Sequence, residues 1–260
     1  MKPQCIATVV VGLALVGACA GCGEPEPRRP PPPPPDRLTL EEEVALGRAA
    51  APAVAEVLGG ESDQLAVQAY VRTVGQRVAR STRFSAPPYR FAVLKADEPR
   101  SVALPGGVVC VTQGLLRRLD TEAQLAAALG RQLAHLAAGH VRRTLTDRFS
   151  LAVLREASAV GAVPAGRSAD PEAVRRVAQA LIAPSYGVDQ EAEADRLGLD
   201  YLAAAGYNPS EMADCLQRLG EGQERAERIR AVVTRKYADR RGRIADEVYS
   251  REVLDRFAEP

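Results

Sequence analysis

The 260 residues include no tryptophan, and aromatic side chains make up only 4% of the chain. A platform for stacking nucleic-acid bases needs exposed rings, and a nucleic-acid-binding domain is usually strongly basic. With a formal net charge of +1 the chain has neither feature, so no nucleic-acid partner is expected. Histidine is just as scarce. The two present, His135 and His140, cap any imidazole-based metal or acid–base centre at two rings, and no H-x-x-x-H spacing occurs. Five cysteines are too few for a small domain held by disulfides. No G-x-S-x-G elbow, Walker loop or G-x-G-x-x-G turn is present, which removes the commonest signatures of serine hydrolases and nucleotide binders. No apolar run approaches the roughly 20 residues that span a bilayer as a helix.

Hydrophobic residues make up 46% of the chain and charged residues 26%, a balance that lets most of it bury a core. The N-terminus has a different character. Met1-Lys2 is followed by an apolar run over Ile6–Val16, the length of a secretory signal core, and then by Val16-Gly17-Ala18-Cys19. That pattern resembles a bacterial lipobox, whose cysteine becomes the lipidated first residue. Cys19 has an aliphatic residue three positions before it and is the preferred acceptor; Cys22 is the alternative. Residues 1–18 are thus expected to be a lipoprotein signal peptide. Residues 19–37, with the unbroken Pro30–Pro35 run, are expected to be an extended polyproline spacer.

Beyond it the pattern is mainly helical with a small β-sheet. Thr39-x-x-Glu42 reads as a capping box opening a helix to about Leu58. Asp63 reads as the cap of a second helix carrying Val67, Val71, Val74 and Val78. Tyr89–Leu94, Ser101–Leu104 and Val108–Thr112 read as strands. Thr121-x-x-Gln124 opens a long helix with Leu125, Leu129, Leu133 and Leu136 as its apolar stripe. Further helices are expected near 148–160, 171–182, 189–205 and 209–219. Cys110 and Cys215 read as buried thiols, with a disulfide between them left open. The charged stretch from Glu221 reads as a solvated helical face.

Four segments carry a resemblance. They are Val102-Ala103-Leu104-Pro105-Gly106-Gly107, Val111-Thr112-x-Gly114-Leu115-Leu116, Glu122-Ala123-x-Leu125-Ala126-Ala127-x-Leu129-Gly130 and Glu191-Ala192-Glu193-Ala194-Asp195-Arg196-Leu197-Gly198. In that order they resemble the gluzincin metallopeptidases of the HtpX and CAAX-prenyl-protease type, in particular their soluble periplasmic relatives. The resemblance implies an α+β, zincin-like fold over about Leu38 to Leu219. It also implies a zinc held by H-E-x-x-H and by the Glu of a later E-x-x-x-D, with the Glu between the histidines as general base.

Here the motif reads Arg131-Gln132-Leu133-Ala134-His135. On the resemblance, Arg131 stands at the first ligand and Gln132 at the general base. His135 and Glu191 are vestigial ligands, and Asp195 is the acid behind a ligand. Arginine has no lone pair to give a metal, and an amide is a poor base near neutral pH. His140, about 140° further round a continuous helix, is not placed to substitute. Gly222-Gln223 fall near the place of a His-Pro pair that the family tends to carry before an Arg-Ile, here Arg228-Ile229. The residues therefore point to a retained fold without an intact catalytic set and without a cofactor. In place of a metal, an ion pair between Arg131 and Glu191, Asp195 or both is expected.

The resemblance implies a lipid-anchored protein on the periplasmic side of a bacterial envelope. Residues 38–219 would form the metallopeptidase-like domain and 220–260 a charged helical extension. The expected role is binding or quality control of unfolded or assembling envelope proteins, with the strand at Val108–Thr112 accepting an extended peptide. Two alternatives stay open: an active zinc metalloendopeptidase with an atypical ligand set, and a structural envelope lipoprotein.

Overall fold

A computed structural model describes residues 37–82, 89–162 and 171–258. The fold is mainly helical with one three-stranded sheet. The elements run α1 (Leu40–Val57), α2 (Leu65–Ala79), β1 (Arg90–Leu94), β2 (Ser101–Leu104), β3 (Val108–Thr112), α3 (Gln113–Arg118) and α4 (Glu122–Ala137). Then follow α5 (His140–Arg148), α6 (Leu151–Ala162), α7 (Pro171–Ile182), α8 (Val188–Ala204), α9 (Glu211–Arg218) and α10 (Gln223–Lys236), with short helical turns over 246–258. The lipidation candidates Cys19 and Cys22 lie outside the described residues.

Local chemistry explains most of the starts. Thr39 Oγ1 accepts from the Glu42 amide at 2.9 Å, and Glu42 accepts from the Thr39 amide at 2.8 Å, so the capping box opens α1 as expected. Thr121 caps α4 in the same way, accepting from the Gln124 amide at 3.1 Å. The return bond of that box goes elsewhere: Gln124 accepts from the Asp120 amide and donates to Glu211. Asp63 does not cap α2, whose N-cap is Gln64 without a side-chain bond; Asp63 pairs with Lys95 at 2.7 Å instead.

The sheet order is β1-β3-β2, with β1 parallel and β2 antiparallel to β3. This corrects one expectation. Val108–Thr112 is the central strand, hydrogen-bonded on both sides, and has no edge to offer a peptide. The outer edge of β1 is partly occupied as well. The Gln68 side chain donates to the Val93 carbonyl at 3.0 Å and accepts from its amide at 2.8 Å, and Gln76 donates to the Tyr89 carbonyl at 2.7 Å. Two glutamines of α2 thus stand in for a neighbouring strand.

α4 is the central helix. It is buried along its whole length from Glu122 to Leu136, not only on its leucine stripe, because α2, α8, α9 and β2 surround it. Full burial of each leucine contributes roughly 1.5–3 kcal/mol. The α4–α8 crossing is tight. A Cβ at Gly130 would sit 3.3 Å from the Gly198 carbonyl, and one at Gly198 would sit 3.1 Å from the Arg131 amide nitrogen. Two glycines therefore let the backbones approach at the point where Arg131 leaves α4.

Residues after 219 pack into the same core. Ala226, Ile229, Tyr249 and Val253 are buried, and the Tyr249 hydroxyl donates to the Leu116 carbonyl at 2.7 Å. A carboxylate ties this region down. Glu122, buried at the start of α4, accepts from Tyr70 at 2.6 Å and Tyr207 at 2.7 Å and pairs with Arg77 and Arg243, each at 2.9 Å. Burial alone would raise its pKa. The hydrogen bonds from Tyr70, Tyr207 and Arg243, with the Arg243 charge, outweigh that and lower it.

Candidate functional site

An i, i+4 spacing puts two residues on one helix face, and the site joins two such pairs. Arg131 and His135 project from α4; Glu191 and Asp195 project from α8. The close crossing at Gly130 and Gly198 makes them meet. Arg131 Nη2 lies 2.9 Å from Glu191 Oε2, and its Nε lies 3.0 Å from Asp195 Oδ1, a charge contact without hydrogen-bond alignment. Its Nη1 reaches Glu221 Oε1 at 3.4 Å. The pair expected from the sequence is present, and it is buried: the Arg131 and Asp195 side chains are each 6% exposed.

A second arginine was not legible in the sequence. Arg225, on the first turn of α10, grips Asp195 with two bonds of 2.6 and 2.7 Å and meets Glu191 Oε2 at 2.5 Å and Glu221 Oε2 at 2.9 Å. Three carboxylates and two guanidinium groups thus form one network between α4, α8 and α10. Burial alone would lower the Arg225 pKa, but Asp195 and then Glu191 raise it, so Arg225 stays charged.

His135 is buried beside this network. Its Nε2 lies 3.8 Å from Glu191 Oε2, and its ring stacks on Tyr186 with centroids 4.0 Å apart. Burial first, then the charges of Arg131, His140 and Arg225, push its pKa down to about 2, so the imidazole is neutral at any physiological pH. The sequence placed His140 away from His135, on the assumption of an unbroken helix. In fact α4 stops at Ala137 and Gly139 takes φ +74, which turns the chain so that His140 opens α5 with its Nδ1 3.1 Å from His135 Nδ1. One ring must donate and the other accept. His140 Nε2 faces Glu193 Oε2 at 3.3 Å.

Gln132 takes no part in the network. It donates from Nε2 to Ser101 Oγ at 2.8 Å and so fixes α4 against β2. Cys110 and Cys215 are separate, buried thiols whose pKa values burial pushes up to about 12. Among the described residues, no group of three or more His, Cys, Asp or Glu is arranged to hold a metal ion. Between α8 and α10 the network residues Glu191, Asp195 and Arg225 open onto a largely apolar cavity of about 400 Å³, whose other lining residues are Tyr186, Val188, Ala192, Leu199, Ile229 and Val232, with Arg196 and Arg228.

The profile of Peptidase family M48 matches residues 65–247, most of the chain and every element of this site. The chain belongs to peptidase family M48. It is 26% identical over 238 residues to a beta-barrel assembly-enhancing protease of Yersinia pestis, covering 83% of this chain and 47% of that protein. It is 28% identical over 165 residues to the beta-barrel assembly-enhancing protease of Escherichia coli K12, covering 61% of this chain and 33% of that protein. It is also 25% identical over 146 residues to the metalloprotease LoiP of the same organism, covering 56% of this chain and 57% of that protein. The chain therefore spans less than half the length of the assembly-enhancing proteases it matches. Among the described residues, no helix of this M48 chain is long and apolar enough to cross a membrane.

Proposed function

We propose that this M48 protein, whose motifs resemble those of the HtpX and CAAX-prenyl-protease type, has exchanged a hydrolytic centre for an ion-pair network. We further propose that it serves the bacterial envelope by binding unfolded or assembling envelope proteins rather than cutting them. In this reading residues 1–18 direct export, lipidated Cys19, or else Cys22, anchors the chain on the periplasmic side, and residues 19–37 hold the folded domain off the membrane.

One observation carries the reading: the buried guanidinium of Arg131 occupies the space between Glu191 and Asp195. The donor set does not suit zinc. A divalent ion placed on Glu191 would stand about 4 Å from that cation and be repelled by roughly 8 kcal/mol at an effective dielectric near 20. Arg225, which holds the same Glu191 oxygen, adds a second repulsion of similar kind. Arg131 offers no lone pair, and Gln132, bound to Ser101, offers no base. General-base help worth about 10²–10⁴ in rate is absent from that position. The similarity to proteases named for assisting β-barrel assembly supports the envelope role.

One observation favours the alternative, an active zinc endopeptidase with an atypical ligand set: the convergence of His135 and His140 brings a second imidazole to the site. Those rings face each other through Nδ1, and His135 turns its other nitrogen to a carboxylate already held by two arginines. The two readings separate when purified chain is incubated with an unfolded outer-membrane β-barrel protein. The binding reading expects suppressed aggregation with the client intact on a gel. Chelator-sensitive fragments would support the peptidase, and aggregation without cleavage would leave a structural lipoprotein.

A further inference from the structure

On the sheet face that carries Ala92, Leu94, Val108 and Cys110 lies a second cavity, of about 560 Å³, closed on its other sides by α1 and the start of α2. It shares no residue with the ion-pair network or with the groove beside it. Its size falls in the range of ligand pockets, about 300–1,000 Å³. Three arginines from three elements line it: Arg48 of α1, Arg72 of α2 and Arg90 of β1. All three are exposed, and none has an acidic partner among the described residues. Other arginines of α2, α3, α5 and α6 find carboxylates, as Arg77, Arg117, Arg142 and Arg155 do, so these three cations are left free to meet an added anion. One acid, Glu61, also lines the cavity, leaving an excess of two positive charges. Between the arginines the lining is mixed: aliphatic at Ala92, Leu94 and Val108, polar at Ser62 and Gln68.

We infer that this cavity is a docking site for an acidic, extended polypeptide segment in which carboxylate and aliphatic side chains alternate. Charge complementarity selects the acid, since three unpaired cations ring a concave surface and steer an anionic partner into it. The aliphatic strip of the floor along β1 and β3, with the cations placed on separate elements around it, selects the alternation. An extended chain sends successive side chains to opposite faces, so it can rest aliphatic groups on Ala92, Leu94 and Val108 while its carboxylates meet the rim. The outer edge of β1 does not take part by strand pairing, because Gln68 and Gln76 already occupy it. This inference is independent of the proposed loss of hydrolysis.

The test is fluorescence anisotropy of the whole chain with a labelled (Glu-Leu)₄ peptide, a (Lys-Leu)₄ control, and the variant Arg48→Glu/Arg72→Glu/Arg90→Glu. The expected result is saturable binding of the acidic peptide alone, weakened by added salt and by about ten-fold or more in the triple variant. Arg228→Ala, at the cavity between α8 and α10, should leave it unchanged. Should the triple variant lose its cooperative thermal transition, Arg90→Gln alone, at an exposed strand position, should weaken binding several-fold. No saturable binding, or binding indifferent to these substitutions, overturns the inference. Competition to completion by millimolar inorganic phosphate, or preferential binding of phosphatidylglycerol vesicles, overturns it too, because either would identify a different anionic ligand.

Discussion

Removing one arginine from the buried network should cost far less than removing both. Arg131→Ala deletes a guanidinium whose side chain is 6% exposed, but Asp195 keeps its two-pronged contact with Arg225, and Glu191 keeps one bond to it. The loss is then of charge-assisted bonds, worth about 1.5–3 kcal/mol, without an orphaned charge. Arg225→Ala should cost a similar amount, because Arg131 remains against both acids. The double variant leaves Asp195 buried with no cation, the situation that costs about 3–5 kcal/mol in its own right. The double loss should therefore exceed the sum of the single losses by about 1–3 kcal/mol, a coupling readable in a double-mutant cycle. Urea unfolding of the four proteins at pH 7 measures it. Single losses below 0.5 kcal/mol, or a double loss equal to the sum, would show that the arginines do not share the load and would refute the reasoning.

Further outcomes follow from the same geometry. Glu122→Gln should destabilise the fold by about 2–4 kcal/mol at pH 7, since two arginines and two tyrosines lose a buried carboxylate. The Glu122 pKa is depressed in the fold, so its contribution is present above the unfolded carboxylate range and is lost as pH falls through the folded value; unfolding curves of wild type and variant should draw together as the pH drops below the ordinary carboxylate range. Gly198→Val should cost about 1–3 kcal/mol in urea unfolding by pushing α8 off Arg131, whereas an equal substitution at Gly206, where nothing lies within 4 Å of a Cβ, should reveal only the strain of its positive φ. Cys19→Ala should release the protein from the membrane fraction or block its processing. Retention through an acylated Cys22 would move the anchor, and absence of acylation on either cysteine would remove it.

Much of this architecture can be read in the residues because the cues are local. Thr39 and Glu42 satisfy each other's amides within one turn, and the three strands are bounded by Pro and Gly. The Arg131 ion pair follows from two i, i+4 pairs on helices that the family motifs set face to face. What could not be read depends on distant chain. Arg225 enters the network only because α10 folds back across α8, and no spacing in the sequence announces that; the Glu221-x-x-x-Arg225 pair predicts an intrahelical bond at most. The sequence pattern runs a helix on through Ala138-Gly139 and so turns His140 away, whereas a left-handed glycine breaks the helix there and brings His140 back to His135. Val108–Thr112 was given a free edge because strand order is a tertiary property. α4 showed a leucine stripe, yet its alanines and glycine are buried as well, since small residues let neighbouring helices close on every side.

The central question is whether buried arginine has displaced metal. Elemental analysis of the purified, homogeneous chain, dialysed against micromolar zinc, tests this most directly, with the Arg131→His/Gln132→Glu variant run beside it. Zinc well below one equivalent is expected in the natural chain, together with no chelator-sensitive hydrolysis of casein. One equivalent of tightly held zinc in the natural chain, with casein cleavage that a chelator stops, would contradict that expectation.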